Sequence, residues 1–153
     1  MTDSDFQFLD TGKLIDQDLE LVLVTKTPAI SEKQYAPSYY FKMLNLETGE
    51  EMGEITLRIG DNEGIYYGGH MGYGVHEKFR GHQYAARSCK LLFPLAKKHG
   101  INPLWITCNP DNVASRKVCE AIGGKLVEII DLPEHNDQYQ RGERQKCRYR
   151  FDL

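Results

Sequence analysis

The sequence predicts an α+β fold built on a mixed sheet, and three observations carry that expectation. Short apolar, β-branched runs fill the first half of the chain. Two amphipathic segments of helical period follow, and further apolar runs alternate with them up to the end. Strands joined by short turns pair antiparallel, whereas strand, helix, strand in succession makes a crossover. The order β-β-β-β-α-β-α-β-β is therefore of α+β or α/β type with a mixed sheet. At 153 residues, 41% of them hydrophobic and 27% charged, the chain has the size of one domain, 1–153, with one core.

Residues 19–25 (LELVLVT) form a compact apolar run that reads as a strand buried on both faces. Residues 39–45 read as a second strand, and Glu47-Thr48-Gly49-Glu50 as a hairpin turn into a third at 52–59. In the third, Gly53, Ile55, Leu57 and Ile59 share a covered face, while Glu54, Thr56 and Arg58 share a wetter one. Residues 65–76 (IYYGGHMGYGVH) read as a fourth strand. Its four glycines imply a bulge or a close approach by a ligand or backbone, or else a loose hairpin turning at Gly68-Gly69.

The best helix spans 83–99, with Ala85, Cys89, Leu92 and Ala96 on one stripe and Ala86 and Phe93 widening it. Lys97, Lys98 and His99 complement its dipole and Gly100 closes it, whereas Pro94 costs about 3 kcal/mol or a kink. A strand at 103–108 leads to a helix from 111 or 112 to 122, whose apolar face is Ala114, Val118, Ala121 and Ile122. Two strands, 125–132 and 144–151, complete the pattern. The last alternates Arg144, Lys146, Arg148 and Arg150 with Gln145, Cys147, Tyr149 and Phe151, which reads as a charged edge or solvent face.

Charge narrows the function classes. The net charge is −3, and residues 1–20 hold six acids (Asp3, Asp5, Asp10, Asp16, Asp18, Glu20) against Lys13, a solvated acidic lead-in. The remainder carries 16 acids and 18 bases, which tolerates an anionic small molecule but gives no basic footprint for nucleic acid. With no apolar run of membrane-span length and no signal-peptide pattern, a cytoplasmic protein without membrane contact is expected. Cys89, Cys108, Cys119 and Cys147 lack zinc-ligand or disulfide spacing, so reduced thiols and no metal are expected.

The stretch that carries chemistry joins the glycine-rich strand to the long helix, Gly72 through Ala86. A short loop holding Arg80 and Gly81 before a helix N-terminus offers free backbone N–H groups and the positive end of a dipole, a recipe for a pyrophosphate. A dinucleotide-binding unit fails on pattern, because Arg80-Gly81-His82-Gln83-Tyr84-Ala85 lacks three spaced glycines.

Strand, loop and helix together resemble the acyl-CoA site of the GNAT superfamily of N-acetyltransferases. The family pattern is an apolar residue ending strand four and then Arg/Gln-x-x-Gly-x-Gly/Ala; here it reads Val75, then Arg80 to Ala85, with Gln83 where glycine is usual. A second block, Asn112-x-x-Ser115 followed by a helix and Gly123-Gly124, is similar to the family's strand five, Asn-x-x-Ser/Ala and Gly-Phe ending, with Gly124 in place of Phe. The resemblance covers roughly residues 39–132 and is strongest to the branch that includes the ribosomal-protein acetyltransferases. The two helices usual between the family's first two strands are not evident in 27–38.

The resemblance implies a central mixed sheet splayed between strands four and five and flanked by helices, and direct acetyl transfer from acetyl-CoA to a primary amine of a small molecule or peptide. Backbone near Gly72 to Val75 would hold thioester and pantetheine, residues Arg80, Gly81, His82, Gln83, Tyr84 and Ala85 the pyrophosphate, and Asn112 and Ser115 the pantetheine arm. The family's acid, a Tyr seven residues after the Asn, is Cys119 here. Cys119 or Tyr73 is then the candidate acid, and Glu54 or His70 the candidate base. The competing reading is structural for all four residues, and at the level of the whole protein it is a non-catalytic module that binds or senses acyl-CoA. A homodimer is compatible with either.

Overall fold

The computed structural model describes residues 6–30 and 36–153; Asp3, Asp5 and the middle of the 27–38 connection lie outside the described residues. Local turn chemistry sets up the first hairpins. β1 (Leu14–Asp16) meets β2 (Leu19–Thr27), and β2 pairs with β3 (Ser38–Asn45). After β3, Asn45 Oδ1 accepts the N–H groups of Glu47 and Thr48 at 2.9 and 3.1 Å, and Gly49 takes a φ of 77° to return the chain into β4 (Glu51–Arg58).

The next segment departs from expectation. Residues 63–68 form a helix, α1 (Glu63–Gly68), and the strand that follows, β5, is only Met71–Val75. The reason is local: Asn62 Oδ1 accepts the Ile65 N–H at 3.0 Å, Glu63 sits in the first turn, and Gly69, at φ 76°, ends the helix. Gly68-Gly69 thus marks a helix end, not a hairpin turn.

The long helix α2 (Tyr84–Lys98) precedes β6 (Leu104–Cys108), α3 (Val113–Ala121), β7 (Lys125–Asp131), the short α4 (Asp137–Gln140) and β8 (Gln145–Phe151). Strands pair in two sheets, β1-β2-β3-β4-β5 and β6-β8-β7, and every pairing is antiparallel. The class is α+β. The edge strands β5 and β6 part from one another, the splay between strands four and five that the family resemblance implies, while pairing within each sheet is antiparallel where a mixed sheet was expected.

The core lies between the first sheet and α2. Leu19, Leu21, Tyr39, Phe41, Met43, Ile55, Leu57 and Met71 meet Cys89, Leu92 and Ala96, all buried. Each large apolar side chain so buried contributes about 1.5–3 kcal/mol. Because α2 covers one sheet face, β2 is not buried on both: Val22 and Val24 stay exposed. Two of the N-terminal acids are structural. Arg87 of α2 donates to Asp16 Oδ2 at 2.6 Å and Asp18 Oδ1 at 2.7 Å, and the Tyr84 hydroxyl donates to Asp18 Oδ2 at 2.5 Å. Those two bonds hold the Asp18 carboxyl below its ordinary value.

Two further faces differ from the sequence pattern. β8 is the central strand of its sheet, so Lys146 and Arg148 are buried and not on an edge. Lys146 Nζ reaches Asn109 Oδ1 and Glu143 Oε1, both at 2.7 Å. Arg148 stacks between the rings of Tyr66 and Trp105 at 3.8 and 4.2 Å and donates to Glu128 Oε1 at 2.9 Å. In α3 the inward stripe is Ser115, Cys119 and Ile122, while Ala114 and Ala121 face outward. On that stripe the Ser115 hydroxyl lies 2.8 Å from the Tyr73 hydroxyl.

Candidate active site

The site forms where the two sheets part. The His70 N–H donates to the Trp105 carbonyl at 2.7 Å, and the Trp105 N–H donates to His70 Nδ1 at 2.9 Å. The imidazole sits where the next backbone carbonyl of a ladder would be, so pairing stops there and β5 and β6 diverge. Nε2 donates to the Gly60 carbonyl at 2.9 Å, and burial pushes the pKa of His70 down. Both ring nitrogens of His70 are thus engaged by backbone at the point where the two sheets part. Gly69 makes the approach feasible, since a Cβ there would lie 3.0–3.2 Å from the backbone of Trp105, Ile106 and Thr107.

Beyond His70, alternation along β5 gives its two faces different jobs. Tyr73 pairs with Ile55 on the face that α2 covers. Its hydroxyl lies 2.8 Å from Ser115 Oγ and 4.0 Å from Cys119 Sγ. Burial is the main reason that the phenol is pushed well above its ordinary pKa, so it stays protonated. Cys119 is fully buried, and burial pushes its thiol up to about 12, which leaves it neutral as well. Asn112 caps α3, its Oδ1 accepting the Ser115 N–H at 3.1 Å, and so fixes where Ser115 stands.

On the opposite face Glu54 pairs with Gly74, and its carboxylate folds over that glycine: a Cβ on Gly74 would be 2.6 Å from Oε1. The other carboxylate oxygen is 3.9 Å from His76 Nε2.

At the far end of β5, Val75 leads into the loop before α2. Arg80 Nε donates to the Val75 carbonyl at 3.2 Å, and Gly81 takes a φ of 91°. Gln83 adopts φ 62° and ψ 25°, the left-handed conformation that glycine takes without strain, so the chain keeps the glycine path despite the Cβ. The first intrahelical bond of α2 is from Arg87 N–H to the Gln83 carbonyl. The N–H groups of Tyr84, Ala85 and Ala86 therefore point out of the helix end, with no acid in the first turn. Nothing lies within 4 Å of where a Gly81 Cβ would be, so the cradle is open. These residues fit the diphosphate of a coenzyme A thioester. His82 lies beside Tyr84, ring centroids 5.7 Å apart. Among the described residues no group of His, Cys, Asp and Glu is placed to hold a metal ion, and no helix is long and apolar enough to cross a membrane.

The structure thus gathers Tyr73, Ser115 and Cys119 on the α2-facing side of β5, sets Glu54 over its other face, and strings residues 80–85 along the helix entrance. The sequence reading missed the backbone partners of the His70 ring, the stack of Arg148 on Trp105, and Arg58. A signal existed for the last: Gly72-x-Gly74 on one strand beside Glu54-x-x-x-Arg58 on its partner leaves room for those two side chains.

Comparisons with known proteins bear on this arrangement. The acetyltransferase (GNAT) domain family pattern matches residues 10–125. No curated protein matches the chain. Among solved structures, it is similar to RimL, the ribosomal L7/L12 alpha-N-protein acetyltransferase in complex with coenzyme A, with a TM-score of 0.65 and 16% identity over 92% of this chain and 98% of that one. A Salmonella typhimurium acetyl transferase that modifies the N-terminal serine of 50S ribosomal subunit protein L7/L12 gives 0.59 and 21% over 80% of this chain and 66% of that one. The ribosomal-protein-S5-alanine acetyltransferase from Vibrio fischeri gives 0.59 and 17% over 75% and 61%. At these identities the likeness is one of fold. The chain spans less than two thirds of the length of the Vibrio fischeri chain and 66% of the Salmonella typhimurium one.

Proposed function

This chain belongs to the GNAT acetyltransferase family, and from that premise we propose that it moves an acetyl group from acetyl-CoA directly to a primary amine at the parting of β5 and β6. Acetyl-CoA supplies the activated carbonyl and the thiolate leaving group. The chain's own residues supply position and protons. Backbone N–H groups of Tyr84 to Ala86 and the positive end of α2 hold the diphosphate. The amine nitrogen forms its bond to the acetyl carbon as the carbon–sulfur bond breaks. Glu54, directly or through water, takes the proton that the amine gives up, and the Tyr73 hydroxyl donates toward the departing sulfur. Cys119, its Sγ 4.0 Å from the Tyr73 hydroxyl, stays a thiol.

The observation that carries this reading is the division of labour across β5. A carboxylate hangs over Gly74 on one face, and a protonated phenol held by Ser115 stands on the other. Amine and thiolate meet the acetyl carbon from different directions, so a base and an acid are needed on different sides of it.

The test is thiol release from acetyl-CoA with a panel of amines, using the parent and Tyr73→Phe. Loss of the hydroxyl should lower kcat by roughly 10²–10⁴-fold with affinity for acetyl-CoA near parental. A Tyr73→Phe protein that turns over like the parent would remove Tyr73 from the chemistry. Acetyl-CoA binding without turnover of any amine would instead favour a binding module.

A further inference from the structure

Arg58 ends β4 on the same face as Glu54 and Thr56, the face away from α2. Its side chain lies across β5 in the space that Gly72 leaves, and a Cβ on Gly72 would be 3.0 Å from Nη2. Nη1 donates to the carbonyls of Gly68 and Gly69 at 3.3 and 3.1 Å. Among the described residues no carboxylate pairs with this guanidinium. Arg87 and Arg148 differ, since Arg87 has Asp16 and Asp18 and Arg148 has Glu128. Burial alone pulls the pKa of Arg58 down, with no acid opposing it; guanidinium nevertheless keeps its charge. A cation taken from water without a counter-charge is costly, and an anion that completes the pair recovers that cost.

Arg58 also fronts a cavity of about 430 Å³ between the ends of β2 and β3, α1 and α4. Asp137 and Arg141 line the same cavity. The Glu54 carboxylate and the Arg58 guanidinium hang over Gly74 and Gly72, two residues apart on β5, or roughly 7 Å by strand rise. Two hydrogen bonds and the short span between an amino group and a carboxylate on one small molecule fit that separation.

We propose that the amine acceptor is a free amino acid or similar short amino carboxylate, with its amine toward Glu54 and its carboxylate on the planar fork of Arg58. The planar fork suits a carboxylate better than a single point charge does. This inference rests on the transfer reading given above and adds the chemical class of the acceptor. A protein N-terminus, the acceptor named for two of the structural relatives, has no carboxylate at that distance unless a side chain supplies one.

The experiment measures thiol release from acetyl-CoA with amino acids and their matched carboxamides, which keep the amine and lose only the anion. Short peptides and a polyamine complete the panel. In the parent, the acids should exceed their amides by at least about 100-fold in kcat/KM, because a half-buried guanidinium left without its anion discriminates strongly. In Arg58→Met that ratio should fall toward one. The parent comparison stands by itself if the variant fails to fold. Amides, peptides or the polyamine turning over as well as the acids would overturn the amino carboxylate while leaving acetyl transfer intact. An unchanged ratio in folded Arg58→Met would overturn the role of Arg58. No thiol release with any amine, while acetyl-CoA still binds by calorimetry, would overturn the transfer reading and this inference with it.

Discussion

The two faces of β5 solve opposite problems. On the face toward α2 the strand uses its own side chains: Met71 and Tyr73 fill the space, and Tyr73 reaches Ser115 of α3. On the other face β5 has no side chains at Gly72 and Gly74, and its neighbour's Arg58 and Glu54 occupy the room. One face is specified by what β5 carries, the other by what it omits. Packing tolerance should differ accordingly, because a filled face resists added atoms through backbone, whereas a borrowed one yields through the ends of flexible side chains.

The strongest way to break that comparison is a methyl group on each side. Gly53 pairs with Val75 on the packed face, and a Cβ there would lie 2.2 Å from the Gly74 carbonyl oxygen. Gly53→Ala must move backbone, so denaturant unfolding should show a loss of about 3 kcal/mol. A loss under about 1 kcal/mol would mean that the two faces yield alike.

Gly74→Ala is the counterpart. Its new methyl meets only the Glu54 carboxylate, so stability should stay within about 1 kcal/mol of the parent while thiol release falls roughly tenfold as the base is displaced. An unfolded Gly74→Ala protein, or one with full activity, contradicts the borrowed-space account. The smallest effect is expected at Cys119, fully buried beside the Tyr73 hydroxyl with its thiol pushed up to about 12. Cys119→Ala should cost about 1 kcal/mol and leave kcat within a few-fold of parental. A drop of 10² or more in kcat, with stability little changed, would move the proton donor from Tyr73 to Cys119.

Much of the molecule was legible in the chain itself. The alternation of residues 52–59, the apolar stripe of α2 and the turn at residues 47–50 are local, and each appears where the pattern placed it. Misreadings had two sources, a local cap and a distant partner. Residues 65–68 look like the start of a strand, yet an Asx cap at Asn62 makes them helical. The basic stripe of 144–151 looks like an edge, but two strands flank it, and aromatic rings with Glu128 accept its Arg148.

What the sequence determined by itself is the set of contiguous devices: strand, loop Arg80 to Ala85, helix, and the Asn112 to Ser115 cap, all of them backbone geometry written within a few residues. Tertiary structure decided which side chains face one another. The His70 ring is pinned between the sheets because Trp105 and Gly60, 35 and 10 residues away, take its two nitrogens. Tyr73 meets Ser115 across 42 residues, and Arg58 lies over Gly72 because antiparallel register puts Thr56 opposite that glycine. Periodicity along one strand shows which residues share a face. Which face of another strand or helix comes to meet it depends on sheet order and splay, and those follow from burying the whole set of apolar stripes at once.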